Sequence, residues 1–404
     1  MEVKPKIETF ARIKVLGIGG SGTAAVDRMS ELGIKGVEFV SINTDAQALH
    51  NNQADRKVHI GKSITKGLGS GMNPELGRQA AEESQEEIED AISNADMIFI
   101  TCGLGGGTGT GAAPTVAELA KNRDILTIAV VTKPFTFEGS KRREVAETGY
   151  ENLKDKVDAI ITIQNDRILQ IIDKKTSLVD AFKTVDDVLR QGIAGISDLI
   201  TTHGLVNADF ADVRTIMQDA GTAMMGIGTA SGENRAELAA KAAVNSPLLD
   251  MTIDGAQGVL FNITGGPDLG MFEIDEAAKV ITKNVDPDAK VKFGTVIDEN
   301  MADELRITVI ATGFDENNRR PTPISFTSPI DEPVIPARPV APSRPAYNEP
   351  EMAQEEEQAE PEPVAVRKPL FKPKPVEPVG TMNDDDLVSG DELDIPAFIR
   401  KKMK

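Results

Sequence analysis

Two glycine-rich segments are the parts of this sequence best suited to hold phosphate groups. The first spans residues 17–22 and reads Gly-Ile-Gly-Gly-Ser-Gly, after an apolar run and before a helical pattern. The second spans residues 103–111, reads Gly-Leu-Gly-Gly-Gly-Thr-Gly-Thr-Gly and has a similar position. Backbone amides at a helix N-terminus can approach phosphate oxygens closely when no side chain intervenes. Each glycine costs roughly 0.5–1 kcal/mol relative to alanine, so we interpret the two loops as gripping a polyphosphate nucleotide from two sides.

The first loop also fits the dinucleotide fingerprint of a Rossmann-type NAD(P)-dependent oxidoreductase. That alternative leaves the second glycine loop unexplained. The segment Gly61-Lys62-Ser63 resembles the end of a Walker motif, but Arg56 stands where the first glycine of that motif should be. Titrations with a nucleoside triphosphate and with NADH would separate the two classes of nucleotide-binding protein.

An acidic segment supplies the third candidate group. Residues 207–212 include Asn207, Asp209 and Asp212 and follow a long helical pattern. Neither glycine loop contains a lysine or histidine, so a group that orients water for attack on a phosphate must come from elsewhere. The local alternative is helix capping, because Asp209 and Asp212 are spaced like an N-cap and its third helical residue.

The elements that must position these groups alternate between strand and helix. We expect strands at residues 13–18, 37–42, 97–102, 126–131 and 159–163, and helices at 23–32, 74–92 and 111–121. Strands that are apolar throughout, in alternation with helices, indicate a parallel sheet covered on both faces. Ligands of such sheets bind at the carboxyl ends of the strands, where both glycine loops fall.

A long amphipathic helix is predicted at residues 178–202, with apolar side chains every three or four positions. Beyond it we expect strands at 223–228, 259–263, 291–297 and 305–312, with helices at 235–243 and 273–284. The fold class is therefore α/β: a parallel-sheet nucleotide-binding domain, a central helix, and a smaller α/β domain with a mixed sheet.

Charge and composition exclude several functions. The 404 residues carry 44 basic and 64 acidic side chains, a net charge of −20, of which −16 belongs to residues before 317. An acidic body argues against holding nucleic acid through a general basic surface. The single cysteine, Cys102, cannot form an internal disulfide, and with no recognisable signal peptide we expect a cytoplasmic protein. Apolar stretches are strand-sized, so we expect no direct membrane insertion.

The last 88 residues differ from the rest. Residues 319–380 contain 15 of the 23 prolines, and we predict a disordered linker at 317–383. The end of the chain runs from acidic residues through Pro396 and Phe398 to Arg400 and further basic residues, an order that suits a helix dipole. We expect residues 384–404 to be a docking peptide, although a solvated charged end is an equally good interpretation of composition alone.

Several separate motifs carry a resemblance to one family. The second glycine loop is similar to the signature of the tubulin superfamily, and its surroundings resemble the FtsZ family of bacterial cell-division proteins. The resemblance covers roughly three quarters of the chain, and further motifs support it: 67–75 (Gly-Leu-Gly-Ser-Gly-Met-Asn-Pro-Glu), 131–135 with 138–139, 165–166, 207–212 and 394–398.

This resemblance implies GTP with Mg²⁺ rather than a nicotinamide dinucleotide. The residues that it assigns to the nucleotide are Gly19, Gly20, Ser21, Gly22, Thr23, Ala24, Asn43, Asp45, Ser70, Gly71, Met72, Gly103, Leu104, Gly106, Gly107, Thr108, Gly109, Thr132, Pro134, Glu138, Arg142, Asn165, Phe182 and Asp186. Both glycine loops would hold the phosphates, and Ser70, Gly71 and Met72 would sense the γ-phosphate. Asn43 and Asp45 would lie near the nucleotide, Glu138 and Arg142 at the ribose, and Asn165, Phe182 and Asp186 at the guanine.

The first loop departs from the family pattern of four glycines followed by asparagine. Ser21 and Thr23 supply hydroxyl groups where the family usually has a bare backbone and an amide. Binding through main-chain amides can persist with these side chains, so the contacts of Ser21, Thr23 and Ala24 are the part of the assignment that the resemblance specifies least.

The expected architecture has a consequence for catalysis. A helix of about 25 residues spans roughly 37 Å, so if its start contacts guanine, its far end cannot reach the same nucleotide's phosphates. The resemblance implies that subunits stack head to tail and that Asn207, Asp209 and Asp212 complete the neighbour's GTPase site, near its Mg²⁺, with no tightly bound metal otherwise. It further implies filaments that form the cell-division ring at midcell.

The family also implies a domain order and partners. The order is a flexible N-terminus at 1–11, a GTP-binding domain at 12–176, a central helix at 177–203, and a GTPase-activating domain at 204–316, followed by linker and docking peptide. The peptide residues Asp394, Ile395, Pro396, Phe398, Ile399 and Arg400 would bind membrane-anchor and regulatory division proteins. A filament protein without catalysis is a further alternative, which phosphate release would exclude.

Overall fold

In a computed structural model of the chain, the described residues are 11–314, apart from 35, 174, 203–205, 207, 250–251, 284, 300 and 302. Asn207, the linker at 317–383 and the docking peptide at 384–404 therefore lie outside the described residues. In the part that is described, no helix is long and apolar enough to cross a membrane.

Among the described residues, the N-terminal half contains six strands and nine helices, the last of which is the long central helix. The strands are β1 (Ile13–Ile18), β2 (Val37–Asn43), β3 (Arg56–His59), β4 (Met97–Gly103), β5 (Leu126–Lys133) and β6 (Ala159–Gln164). The helices are α1 (Gly19–Leu32), α2 (Ala46–Asn51), α3 (Lys62–Thr65), α4 (Pro74–Glu83), α5 (Gln85–Ile92), α6 (Thr108–Lys121), α7 (Ser140–Lys154), α8 (Asn165–Ile168) and α9 (Leu178–Thr201), with a short 3₁₀ turn at Thr136–Glu138.

These six strands form a parallel sheet in the order β3-β2-β1-β4-β5-β6. Apolar side chains on its two faces enter two separate cores. One core contains α1 and the inner face of α9, and the other contains α4, α5 and α6 with residues of α7. Strands buried on both faces are mostly apolar instead of alternating apolar and polar residues, which is the pattern that the sequence shows.

The C-terminal half contains α10 (Phe210–Met217), β7 (Gly221–Ser231), α11 (Arg235–Val244), β8 (Gly258–Gly265), α12 (Met271–Thr282), β9 (Lys290–Ile297) and β10 (Glu304–Thr312). Strand β10 is antiparallel to β7 and β8, whereas β8 and β9 are parallel. The predicted mixed sheet is confirmed.

The two halves share one ten-stranded sheet, because β6 pairs with β7 over three residue positions, Ala159–Ile161 against Gly221–Ala223. Helix α9 packs against both halves: Val185 and Ile193 share a core with Ile161 of β6 and with Leu260 and Ile310 of β8 and β10. The close approach of α9 to β7 requires glycine at position 192, because a Cβ there would lie 2.4 Å from the Met225 sulfur. The long helix is therefore packed against both halves of the shared sheet.

The sequence expectation did not include β3, α2, α3 or α8, and two larger differences have a physical reason. The helix expected at 74–92 is divided at Ser84, whose N–H bonds to Ala81 three residues back and whose hydroxyl accepts from the Gly61 N–H at 3.1 Å. This tertiary hydrogen bond interrupts a pattern that is locally helical. Helix α7 was not predicted, because it buries few side chains and its sequence is strongly polar.

Candidate functional site

The two glycine loops contact one another at the carboxyl ends of β1 and β4. Gly19 has a left-handed backbone (φ 74°), and a Cβ added to it would lie 2.6 Å from the Gly109 backbone nitrogen. Gly22 packs against β4 so closely that a Cβ would lie 2.4 Å from the Thr101 carbonyl oxygen. Gly20, in contrast, has open space around it. The glycines thus allow two helix N-termini, of α1 and α6, to meet at one place.

The hydroxyl groups of the first loop face the protein. The Gly103 N–H donates to Ser21 Oγ at 2.9 Å, which ties one glycine loop to the other. Thr23 is buried and its hydroxyl donates to the carbonyls of Gly19 and Gly20 at 2.9 and 3.1 Å, while Asn43 Nδ2 donates to Thr23 Oγ1 at 3.4 Å. Ala24 lies exposed on α1. The departure from the family pattern is therefore accommodated by internal hydrogen bonds.

A third loop, residues 67–72, is attached to the second glycine loop by hydroxyl groups. Thr108 Oγ1 lies 2.6 Å from Thr44 Oγ1 and 2.9 Å from Ser70 Oγ. Gly71 and Met72 have left-handed backbones (φ 56° and 62°), and Met72 is 61% exposed. The loop holding Ser70, Gly71 and Met72 thus lies beside the N-terminus of α6.

Asn43 and Asp45 organise the end of β2. Asn43 Oδ1 accepts the N–H groups of Thr44 and Asp45 at 2.9 and 3.3 Å. Asp45 caps α2 through bonds from Gln47 and Ala48 at 2.8 and 3.2 Å. Both side chains are thereby fixed next to the loops.

A cavity of about 180 Å³ lies beside the glycine loops. It brings together many of the predicted residues from distant parts of the sequence. Its lining includes Ser21, Gly22, Gly103, Leu104, Thr132, Pro134, Glu138, Arg142, Asn165, Phe182 and Asp186. The remaining predicted glycines, with Thr23, Asn43, Asp45 and Thr108, lie in the loops around it rather than in its wall.

Asn165 lines this cavity and is 6% exposed. Its Oδ1 atom is buried and has no hydrogen-bond partner among the described residues. A buried acceptor without a partner is costly in a free protein, and this one lines a cavity where a ligand could supply the donor. The edge of guanine carries such donors, so the residues present fit this base.

Helix α9 contributes Phe182 and Asp186 to the lining of the same cavity. Phe182 is 38% exposed and meets Phe135 edge to face, with ring centroids 5.6 Å apart. Asp186 forms an ion pair with Arg28 of α1. An exposed ring face and a carboxylate beside Asn165 form a suitable base pocket.

Two further groups line the wall. Glu138 accepts from the Phe135 N–H at 2.9 Å and pairs with Arg142 at 2.9 Å, so both are oriented. Cys102 is buried beneath the second loop, and burial raises the pKa of its thiol to about 12. The thiol is therefore neutral and unreactive at physiological pH.

The acidic pair lies elsewhere. Asp209 caps α10 by accepting the Asp212 N–H at 2.7 Å, and Asp212 pairs with Lys292 of β9 at 2.8 Å. Neither aspartate lines the cavity, whose contacts on α9 come from its N-terminal half: Phe182, Val185, Asp186 and Leu189. Helix α9, whose first half lines the cavity and whose C-terminal end precedes the acidic segment, has 24 residues and is about 36 Å long.

Comparisons with known proteins agree with these features. The profile of the Tubulin/FtsZ family, GTPase domain, matches residues 12–173, and that of the FtsZ family, C-terminal domain, matches residues 221–315. An empty FtsZ dimer from M. jannaschii is 46% identical to this chain, with 76% of this chain and 89% of that one covered and a TM-score of 0.73.

The chain belongs to the tubulin/FtsZ family. It is a GTP-binding, polymerising cytoskeletal GTPase, and the oxidoreductase alternative is not favoured. The fold is also similar to that of CetZ2 from Haloferax volcanii in a GTPγS-bound protofilament, at 23% identity and a TM-score of 0.65, with 76% of this chain and 95% of that one covered.

Some residues of the site were not predicted from the sequence. Thr44 links β2 to Thr108, Arg28 pairs with Asp186, and Lys292 pairs with Asp212. The position of Thr44 directly after a buried strand was a usable signal. No sequence signal marked Arg28 or Lys292, because each pairs with a residue that is far away in the sequence.

Proposed function

We propose that this chain hydrolyses GTP at a site divided between two copies stacked head to tail, in filaments that form the cell-division ring. The observation that carries the proposal is the separation of two sets of groups. The glycine loops and the cavity lie at the start of α9, and the capped acidic pair follows its other end. One subunit cannot bring both sets to a single nucleotide.

In this proposal the residues of the cavity bind and orient GTP. The two glycine loops, residues 19–24 and 103–109, hold the phosphates through those main-chain amides that make no hydrogen bond inside the protein, and Ser70, Gly71 and Met72 contact the γ-phosphate. Glu138 and Arg142 flank the ribose, with Thr132 and Pro134 in the wall. Asn165 Oδ1 accepts a hydrogen bond from guanine, Asp186 accepts another once released by Arg28, and Phe182 covers the ring face.

The acidic residues act on the neighbour's nucleotide. Asp209 and Asp212 orient the attacking water, and Asn207 belongs to the same segment. Bound Mg²⁺ would neutralise the charge of the phosphates, and the carboxylates of Asp209 and Asp212 are suitable oxygen ligands at that position.

Such a contact uses different surfaces on the two subunits, so it generates open filaments. GTP would strengthen the contact and hydrolysis would weaken it. The acidic body must overcome its own repulsion to polymerise, and we expect Mg²⁺ and salt to promote bundling.

The test is the dependence of turnover on protein concentration. GTPase activity per subunit should rise above a threshold at which light scattering also appears on adding GTP with Mg²⁺. Asp212→Ala should keep GTP binding and lose turnover. A specific rate that stays flat down to nanomolar protein, or loss of GTP binding by Asp212→Ala, would contradict a divided site.

The tail completes the proposal. We place residues 394–400 as the segment that binds membrane-anchor and regulatory division proteins, with residues 317–383 as a spacer, and the protein itself at midcell in the cytoplasm. Support comes from the sequence order of the tail alone. Removal of residues 384–404 should leave GTPase activity and filament formation intact while abolishing localisation to the division site in cells.

A further inference from the structure

Strand β9 holds the segment that carries the acidic residues. The Thr295 N–H donates to the Val206 carbonyl at 3.0 Å, and the Val206 N–H donates to Thr295 Oγ1 at 3.1 Å. Three positions earlier on the same strand, Lys292 Nζ lies 2.8 Å from Asp212 Oδ1. The acidic segment is thus attached to β9 through its backbone and through one ion pair.

The two aspartates are fixed in different ways. Asp209 Oδ1 accepts the N–H of Asp212 at 2.7 Å, so one oxygen of that carboxylate caps α10. The Asp212 carboxylate is oriented by Lys292, and the hydrogen bond between them raises the pKa of the Lys292 ammonium, to which the charges of Asp212 and Asp209 add. Lys292 therefore stays charged at any physiological pH.

Lys292 also changes the charge that the segment presents. Asp209 and Asp212 together carry two negative charges, and their proposed target is a nucleoside triphosphate of the same sign. One ammonium at hydrogen-bond distance offsets half of that charge. The electrostatic repulsion between the acidic segment and an anionic nucleotide is therefore weaker with Lys292 present than without it.

We propose that Lys292 is a positioning residue for Asp212, an inference that rests on the divided GTPase site proposed above. Its hydrogen bond at Oδ1 fixes the rotation of the carboxylate and leaves Oδ2 to orient water at the neighbour's nucleotide. Lys292 does not itself contact the reacting atoms.

The chain offers a matched control on the same strand. Lys290 is exposed and two positions from Lys292, and among the described residues it forms no ion pair with the acidic segment. Lys290→Ala and Lys292→Ala make the same change in net charge, and the two positions lie on the same face of β9. Lys292 is 48% exposed, so its replacement leaves no cavity in the core.

The experiment uses the full chain with GTP and Mg²⁺ well above the polymerisation threshold. We expect Lys292→Ala to lower turnover per subunit by up to about five-fold, the upper end for loss of an exposed ion pair. Lys292→Arg should restore most of the activity, because guanidinium also donates to a carboxylate. Lys290→Ala should match the wild type, and GTP affinity of the unassembled subunit should be unchanged in all three.

A second measurement tests whether Lys292 acts through Asp212. In an Asp212→Asn background, Lys292→Ala should produce no further loss of the remaining turnover. An equal loss in both backgrounds, or equal losses for Lys290→Ala and Lys292→Ala, would overturn the assignment to Asp212.

The same set of variants separates the two proposals. If Asp212→Asn lowers turnover and Lys292→Ala does not, the divided site stands and the role of Lys292 is refuted. If Asp212→Asn keeps full turnover, the divided site itself is refuted, and the role of Lys292 with it.

Discussion

Replacement of Asn165 by alanine tests the base pocket most directly. Asn165 is 6% exposed, lines the cavity, and its Oδ1 has no hydrogen-bond partner in the described part of the protein. The variant therefore breaks no internal hydrogen bond at Oδ1, whereas bound guanine loses an acceptor. A net hydrogen bond is worth about 1 kcal/mol, which corresponds to about five-fold in affinity.

The assay is competitive displacement of a fluorescent GTP analogue at nanomolar protein, below the polymerisation threshold. The loss should be larger for GTP than for ATP, because guanine presents N1–H and 2-amino donors at positions where adenine has an acceptor nitrogen and a C–H group. Asn262 on β8 is a matched control: it is 3% exposed, its Oδ1 also has no partner among the described residues, and it lies outside the cavity. Asn262→Ala should leave GTP affinity unchanged. Unaltered GTP affinity in Asn165→Ala, or equal losses for GTP and ATP, would refute the assignment.

Substitutions at three other residues have expected outcomes. Ser21→Ala removes the acceptor of the Gly103 N–H and should weaken GTP binding by up to about five-fold in the same displacement assay. Asp209→Ser should keep the cap of α10 and the thermal midpoint of unfolding but lose GTPase turnover. Asp209→Ala should lose turnover and also about 1 kcal/mol of folding stability, because alanine cannot cap the helix. Equal GTPase rates in Asp209→Ser and wild type would place that aspartate in a structural role only. Burial raises the pKa of Cys102 to about 12, so the folded state binds its proton more tightly than the unfolded state and stability should fall as pH rises above about 9. Thermal unfolding at pH 8 and 10.5 should show a smaller pH effect in Cys102→Ala than in wild type.

Much of the fold follows from local patterns. Strands β1, β4 and β5 are mostly apolar and buried along almost their whole length, and each glycine loop follows such a strand and begins a helix. Periodicity and composition over ten or so residues are enough to identify these elements. The central helix was predicted with almost its observed bounds for the same reason.

Other features depend on contacts that no local pattern encodes. The break at Ser84 follows from a hydrogen bond to Gly61, and the junction of the two halves comes from the pairing of β6 with β7. Both join residues that are distant in sequence. Local reasoning therefore gives a continuous helix and two separate sheets.

The sequence by itself determined the chemistry available to this protein: two loops of bare amides at helix N-termini, a base pocket assigned by resemblance, and carboxylates beyond a long helix. Tertiary structure decided how these groups are held. Ser21 reaches Gly103 across 82 positions and Lys292 meets Asp212 across the C-terminal domain, contacts that exist only once sheet and helices have packed. The physical reason is that backbone propensities are local, whereas the direction of a hydroxyl or a carboxylate is set by whichever distant donor the fold brings within about 3 Å.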